Sequence, residues 1–156
     1  GYAQKFPALI ATHGDDAKIN FIFELARNIK VLSTRNSRAR RILQKESFFE
    51  ILRTFLVDKD RKIRLNILRI IRHLIIDEAT IDILRNLSLH LFITRSLERE
   101  QRGGSLEKVQ ALKIVNTWLE VDPRRFPRIF AQSLVAVAEN PEDKLRSEAI
   151  DTLRTL

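Results

Sequence analysis

Apolar residues recur along the chain in steps of three and four, which is the period of an amphipathic helix. The clearest case is Asp58–Ile76. One face of this predicted helix carries Ile63, Ile67, Leu68, Ile70, Ile71, Leu74 and Ile75. Leu65 and Ile76 lie off that face. An apolar face of this width needs neighbours on more than one side, as the inner helix of a stacked array has.

The same period predicts helices along most of the chain. We expect a loop at residues 1–16, then helices at 17–32, 38–45, 48–57, 80–99 (as two short helices), 106–121 and 129–139, and a last helix beginning at Asn140-Pro141. Glu100–Ser105, with its Gly-Gly pair, is the clearest predicted loop. Polar residues at the predicted starts are the expected helix caps, namely Asp15 or Asp16, Asn36 or Ser37, Ser47 and Thr80.

The apolar pattern of Asp58–Ile76 recurs twice. A shift of 82 residues matches Ile63 with Leu145 and Ile67 with Ala149, and a shift of 44 matches Ile71 with Val115. The resulting steps of 44 and 38 lie near the period of about 40–47 residues in HEAT and armadillo repeats. An Asp or Asn six residues before an Arg, at Asp58/Arg64 and Asn140/Arg146, indicates a helix cap and a tie to the neighbouring repeat.

These patterns predict an all-α fold, an armadillo/HEAT-like helical-repeat solenoid with a right-handed α–α superhelix. We expect about three to four repeats in one domain spanning residues 1–156. Only 4 Gly and 4 Pro occur in 156 residues, which favours long helices. Because Met is absent, we expect the chain to be a fragment of a longer repeat array. No apolar run approaches the ~18 residues that a membrane-spanning helix requires.

The residues that carry chemistry form no recognisable catalytic pattern. His13, His73 and His90 are isolated, and cysteine is absent, so no metal-ligand spacing occurs. Acidic pairs such as Glu142/Asp143 lie in predicted turns, where nothing indicates a cleft that would separate their pKa values. We therefore expect neither enzymatic activity, a cofactor nor a metal.

Positive charge is concentrated in one part of the chain. The net charge is +8, and residues 27–72 hold 14 Lys and Arg against 4 Asp and Glu. The candidate basic interaction surface consists of Arg35, Arg38, Arg41 and Lys45, extended by Arg61 and Lys62, with Ile42 and Leu43 turned inward. Such a surface fits acidic peptide, phosphate or anionic lipid, but it also fits a solvated helix face.

Two further features bear on possible partners. Tyr and Trp occur once each and Phe lies mostly at core spacings, so no stacking platform for nucleic acid is visible. The Leu97–Ser105 loop, with Arg99 and Arg102, is either a contact loop or a disordered one.

Three stretches resemble the N-terminal region of the Rictor/Pianissimo family. They are LRIIRHLIIDEATIDILRNLSLHLFITRSLERE at Leu68–Glu100, EKVQALKIVNTWLE at Glu107–Glu120 and FPRIFAQSLVAVA at Phe126–Ala138. The phrase RHLI-x-DE, followed by F-I-x-RSLER and E-x-VQALK, carries most of the resemblance. The basic segment at Arg38–Lys45 matches no family motif.

This resemblance implies an armadillo-type scaffold, a non-catalytic core subunit of TOR complex 2. Its implied partners are the TOR kinase and a Sin1-type subunit, and its implied role is to direct phosphorylation of AGC-family kinases. It also implies a cytoplasmic protein, peripheral at the plasma membrane as part of the complex. The alternative is a HEAT-type module that docks on anionic membrane or phosphorylated ligands through Arg38, Arg41 and Lys45.

Overall fold

The computed structural model describes residues 2–58, 60–75, 77–99 and 106–156, with the backbone alone described at residues 2–15 and 33. All regular elements in these ranges are helical, which confirms the all-α class. The α-helices are α1 (Tyr2–Arg35), α2 (Ser37–Leu43), α3 (Glu46–Phe55), α4 (Arg61–Leu74), α5 (Glu78–Asn86), α6 (Leu89–Glu98), α7 (Leu106–Val121), α8 (Arg128–Glu139) and α9 (Arg146–Arg154). A 3₁₀ turn, Pro123–Arg125, precedes α8.

The chain divides into two compact units, Gly1–Leu74 and Ile75–Leu156. In the first unit α4 is the central helix, because both α1 and α3 pack against it. The apolar stripe predicted for α4 is confirmed as buried, with Ile63, Ile67, Ile70, Ile71 and Leu74 all in the core. The solenoid and the single domain over residues 1–156 stay predictions.

The start of α1 differs from the prediction. Backbone helix begins at Tyr2, so residues 2–16 are not a loop and the helix passes through Asp15 and Asp16. Pro7 and Gly14 suggested a break, but the helical backbone continues through both, although each residue lowers helix stability. Phe23 is 47% exposed, whereas Ile22, Leu25, Ala26 and Ile29 are buried.

Several caps also differ from expectation. Asn36 caps α2 as predicted, since its Oδ1 accepts from the N–H groups of Arg38 and Ala39 at 3.1 Å. Asp77, not Thr80, caps α5, and its Oδ1 accepts from the Thr80 N–H at 2.9 Å. The cap position of α3 is Lys45 rather than Ser47. The last helix begins at Arg146, because residues 141–145 form turns instead of the predicted first helical turns.

Helices α1 and α4 run in the same direction. The ammonium of Lys18 donates to the Asp58 carboxylate just before α4 begins. Near the end of α4, the positive charge of Lys30 contributes to a lowered pKa of His73, after burial and Arg72. The contacts follow the same order along both helices, so α1 and α4 are parallel, as equivalent helices of stacked repeats are.

The second unit contains the same relationship between α7 and α9. Lys108, in the first turn of α7, donates to the Asp143 carboxylate shortly before α9. One helix length further on, Thr152 donates to Asn116 Oδ1 at 2.7 Å. The core of this unit is centred on Trp118, which makes an edge contact with Phe130 at a centroid distance of 5.2 Å.

The two arginines expected to tie neighbouring repeats each donate to a carbonyl of their own hairpin. Arg64 Nη1 donates to the Asp58 carbonyl at 2.6 Å, within the turn that precedes its own helix. Arg146 Nε donates to the Ala138 carbonyl at 2.9 Å. Both close the hairpin in which they lie, and the lysines make the ties between helices.

Candidate basic interaction surface

The short helix α2 places the first group of predicted site residues. Asn36 caps its start, and at its end the Gln44 side chain donates from Nε2 to the Leu74 carbonyl at 2.7 Å. This bond fastens α2 to the C-terminal end of α4. Arg35 is the last residue of α1, and Arg38 and Arg41 are exposed on α2. Together with Lys45, these residues form what is called here the α2 basic segment.

The inward orientation predicted for Ile42 of this segment is wrong. Ile42 was expected to turn inward, but its side chain is 58% exposed, and no residue of α2 is buried. A helix of two turns lying on α1 has little core to reach, so an apolar residue there stays in water. Lys45 does not lie on the same helix as Arg41, because α2 ends at Leu43. Lys45 has an extended backbone and directly precedes α3.

Arg61 and Lys62 do not extend the α2 basic segment directly. Both are exposed in the first turn of α4, where Asp60 caps the helix by accepting from the Lys62 N–H at 2.8 Å. Gln44 contacts the opposite end of the same helix, at Leu74. The helix is 14 residues long, so these ends lie about 20 Å apart along the axis. The six predicted residues therefore form two groups and not one.

Sequence reasoning missed the residues between these two groups. Arg69, Arg72 and His73 are half-buried on the side of α4 that is left open. Their spacing from Lys62 was a detectable signal, since the positions 62, 65, 69, 72 and 73 follow the helical period. The predicted surface started from runs of basic residues in sequence, and so it passed over basic residues separated by apolar ones.

The electrostatics around His73 reflect this concentration of positive charge. Burial, and then the charges of Arg72, Lys30 and Arg69, lower the pKa of His73 to about 4. Burial and the neighbouring Arg69 also lower the pKa of Arg72. At neutral pH the imidazole is therefore uncharged and the guanidinium groups carry the local charge.

The second predicted contact feature, the Leu97–Ser105 loop, lies largely outside the described residues. Residues 100–105, including Arg102, fall there. Arg99 is one of the described residues, and its Nε is 3.2 Å from Oε2 of Glu107, which is almost fully buried. Leu97 is buried as well. The described part of this feature therefore packs and pairs within the second unit.

The described ranges contain neither a cluster of metal ligands nor a membrane-spanning helix. No group of three or more His, Asp or Glu there could hold a metal ion. None of the helices traced in these ranges combines the length and apolarity needed to cross a bilayer. A cleft of about 550 Å³ in the second unit is lined mainly by α7 and α9, with Glu120, Glu148 and Asp151 among its walls.

Comparison with known proteins adds what geometry alone does not provide. The family described as "Rapamycin-insensitive companion of mTOR, N-term" matches residues 24–156. Protein pianissimo A of Dictyostelium discoideum is 34% identical over 105 residues, which cover 67% of this chain and 9% of that protein. No solved structure matches.

Two further relatives are similar. The target of rapamycin complex 2 subunit TSC11 of Saccharomyces cerevisiae is 31% identical over 137 residues, 88% of this chain and 9% of that protein. The rapamycin-insensitive companion of mTOR of Mus musculus is 30% identical over 95 residues, 61% of this chain and 6% of that protein. The chain spans less than a tenth of the length of these relatives. Since the family match runs from α1 to the last residue, this chain belongs to the Rictor/Pianissimo family.

Proposed function

We propose that this chain is part of a non-catalytic scaffold subunit of a TOR complex 2. In this role it holds partner proteins, the TOR kinase and a Sin1-type subunit, and supports TOR signalling to AGC-family kinases. The observation that carries the proposal is the similarity to a target of rapamycin complex 2 subunit over 88% of the chain. The proposal also makes the protein cytoplasmic, and peripheral at the plasma membrane within the complex.

The side-chain chemistry of the described residues supports a scaffold. Two largely buried ion pairs serve contacts between helices: Lys108 pairs with Asp143, and Lys18 with Asp58. Parallel packing of α1 with α4, and side-chain bonds that join α7 and α9 in the same sense, fit an array in which each layer is stabilised by the next. Rigid layers of this kind present long surfaces for protein binding.

The test is recovery of the complex with full-length protein. Tagged full-length protein is purified from cells at low ionic strength, and the TOR kinase and Sin1-type subunit are sought in the eluate. We expect both to be recovered with the parent, and less of both with Ile71→Asp, which disrupts the core of the first unit. Absence of the TOR kinase from the parent eluate would refute the assignment.

A second candidate function is docking on anionic membrane or phosphorylated ligands through Arg38, Arg41 and Lys45. It is favoured by their exposure, and by the absence of any carboxylate within 4.0 Å of them among the described residues. The chain is sedimented with vesicles of neutral lipid, with and without about 30% phosphatidylserine. We expect charge reversal of all three residues to abolish binding to the anionic vesicles only. Unchanged sedimentation of the triple variant would remove this candidate.

A further inference from the structure

The burial pattern of α4 leaves one sector of the helix open. At 100° per residue, the buried positions surround about two thirds of the axis, and the remaining third is half-buried or exposed. This open third, called here the α4 basic sector, consists of Arg61, Lys62, Leu65, Arg69, Arg72 and His73. The α4 basic sector contains no acidic residue, and Leu65 is its one member that is neither cationic nor His.

Arg69 is held in place by a neutral group. Its Nη1 donates to Oδ1 of Asn66 at 3.2 Å, and Asn66 in turn donates from Nδ2 to the Lys62 carbonyl at 3.0 Å. Asn66 is buried, so its amide has one fixed orientation. The guanidinium is thus oriented while its charge is left without compensation.

Arg72 is held in a similar way. Its Nη2 is 3.4 Å from Nε2 of His73, and the ring can accept there because burial and nearby cations lower its pKa to about 4. Among the described residues, no carboxylate lies within 4.0 Å of Arg69 or Arg72. Arginines that served only stability would more usually pair with carboxylates, because a half-buried cation is costly without a counter-charge.

The shape of the sector restricts what can supply the missing negative charge. Arg69, Arg72 and His73 are half-buried on a helix flanked by α1 and α3, so the charges of the two arginines are recessed between neighbours. A flat lipid surface reaches such positions poorly, whereas a peptide can lie along them. The cations are also spread along the helix. Lys62 and Arg72 lie about 15 Å apart along the axis, a length that about five extended residues span.

We propose that the α4 basic sector binds an extended acidic segment, rich in Asp and Glu, of a partner protein. Carboxylates match the planar guanidinium groups of Arg69 and Arg72 in bidentate fashion, and Lys62 contacts the other end of the segment. A series of separated cations fits several carboxylates better than a single phosphate, which requires donors that converge on one point. The inference does not rest on the TOR complex assignment, because it needs only a partner with an acidic segment.

The test uses the 156-residue chain and a fluorescein-labelled peptide of about eight alternating Asp and Glu residues, with fluorescence anisotropy as the readout. Its Asn/Gln counterpart is the neutral control peptide. We expect salt-sensitive binding of the acidic peptide alone. Arg69→Gln together with Arg72→Gln should weaken it about tenfold, because two charge-assisted contacts are lost. Arg124→Gln with Arg128→Gln removes the same charge from exposed positions of the second unit and should change the Kd less than about twofold.

A second pair of variants guards against a folding defect. Lys62→Glu changes an exposed residue in the sector, and Lys113→Glu makes the same change at an exposed site on α7. We expect Lys62→Glu to weaken peptide binding several-fold more than Lys113→Glu, with melting temperatures alike. Equal losses within either pair would mean non-specific attraction to a cationic chain and would overturn the proposal. Tighter binding of inorganic phosphate or phosphatidylserine vesicles than of the peptide, through Arg69 and Arg72, would overturn it as well.

Discussion

The ammonium of Lys108 and the carboxylate of Asp143 join α7 to the turn before α9. The other oxygen of Asp143 accepts from the Leu145 N–H at 2.9 Å, so one carboxylate fastens a turn and ties it to a helix 35 residues away. Lys18 and Asp58 repeat the arrangement in the first unit, where Asp58 Oδ1 accepts from the Asp60 N–H at 2.9 Å. The two units therefore use the same device, an Asp before a helix that pairs with a Lys of an earlier helix, although neither pair was found by aligning the sequence.

Breaking the ion pair between Lys108 and Asp143 is expected to lower the stability of the fold markedly. The side chains of Lys108 and Asp143 are only 11% and 8% exposed, so removing one partner leaves a buried charge without its counter-charge. We predict that Lys108→Met lowers the free energy of unfolding by about 3 kcal/mol, measured by urea denaturation. The matched control is Lys113→Met, at an exposed position further along α7, for which we expect a loss of less than about 0.5 kcal/mol.

A double variant tests whether the tie itself causes the loss. Lys108→Met with Asp143→Leu removes both charges, and we expect it to be more stable than the Lys108→Met variant. The single variant Asp143→Leu completes the comparison. If the losses of unfolding free energy in Lys108→Met and Asp143→Leu simply added up in the double variant, the two side chains would not be coupled, and the tie would be refuted.

The ion pair between Lys18 and Asp58 makes stability depend on pH, because the Asp58 carboxyl titrates. Burial alone would raise its pKa, but the hydrogen bonds from Lys18 and from the Asp60 N–H, with the nearby charges, lower it below 3.8. A lowered carboxyl pKa means that the ionised form stabilises the fold. Its contribution is complete above pH 3.8 and is lost as the pH falls through the folded-state value.

We therefore predict that Asp58→Asn is less stable than the parent at pH 7, and that this difference disappears towards pH 2. Urea denaturation at a series of pH values measures it. Asp151→Asn, at an exposed pair with Arg154 whose atoms are 3.7 Å apart, is the control and should match the parent throughout. A difference that stayed constant from pH 7 to pH 2 would contradict the role given to the Asp58 charge.

His73 acts in a separate pH window. Its pKa is about 4 in the folded chain against 6.5 ordinarily, so between these values the unfolded state binds more protons. Stability is therefore complete above pH 6.5 and falls as the pH is lowered towards 4. A shift of this size is worth about 3 kcal/mol for a fully buried group, and solvent screening of this half-buried ring reduces it to about 2 kcal/mol.

His73→Gln removes the titrating ring, so we predict a smaller loss of stability between pH 7 and pH 4.5 than in the parent. His90 remains in both proteins; burial and Arg85 lower its pKa too, so its share cancels in the comparison. A direct check is the pKa of His73 from the pH dependence of its ring proton shifts. A value near 6.5 would contradict the proposed environment.

The sequence predicted best where one physical effect dominates. The burial of Ile63, Ile67 and Ile71 followed from the helical period, because α4 is packed on most sides and its side chains have no alternative environment. The Asn36 cap followed from local hydrogen bonding alone, which involves residues two and three positions away. Such short-range effects are fully present in the sequence.

The prediction failed where the outcome depends on packing between distant residues. Arg64 was expected to reach a neighbouring repeat, and the sequence did not indicate that its Nη1 would donate to the Asp58 carbonyl in its own turn. Lys18 is separated from Asp58 by 40 residues, so their pairing exists only once α1 lies on α4. The same holds for the α4 basic sector, whose open side is defined by the two helices that cover the rest.

Exposure of apolar residues is the sharpest difference between pattern and structure, and Ile71 and Ile42 provide the test. Ile71 is fully buried on α4, whereas Ile42 is 58% exposed on α2.

We predict that Ile71→Asp unfolds the first unit, because an unpaired charge in the core costs several kcal/mol, comparable to the whole stability of a small domain. Ile42→Asp makes the same chemical change in water and should shift the free energy of unfolding by less than about 0.5 kcal/mol. Circular dichroism at 222 nm during thermal unfolding separates the two. A folded Ile71→Asp variant would contradict the central place of α4, and a strongly destabilised Ile42→Asp variant would restore the inward position first predicted for that side chain.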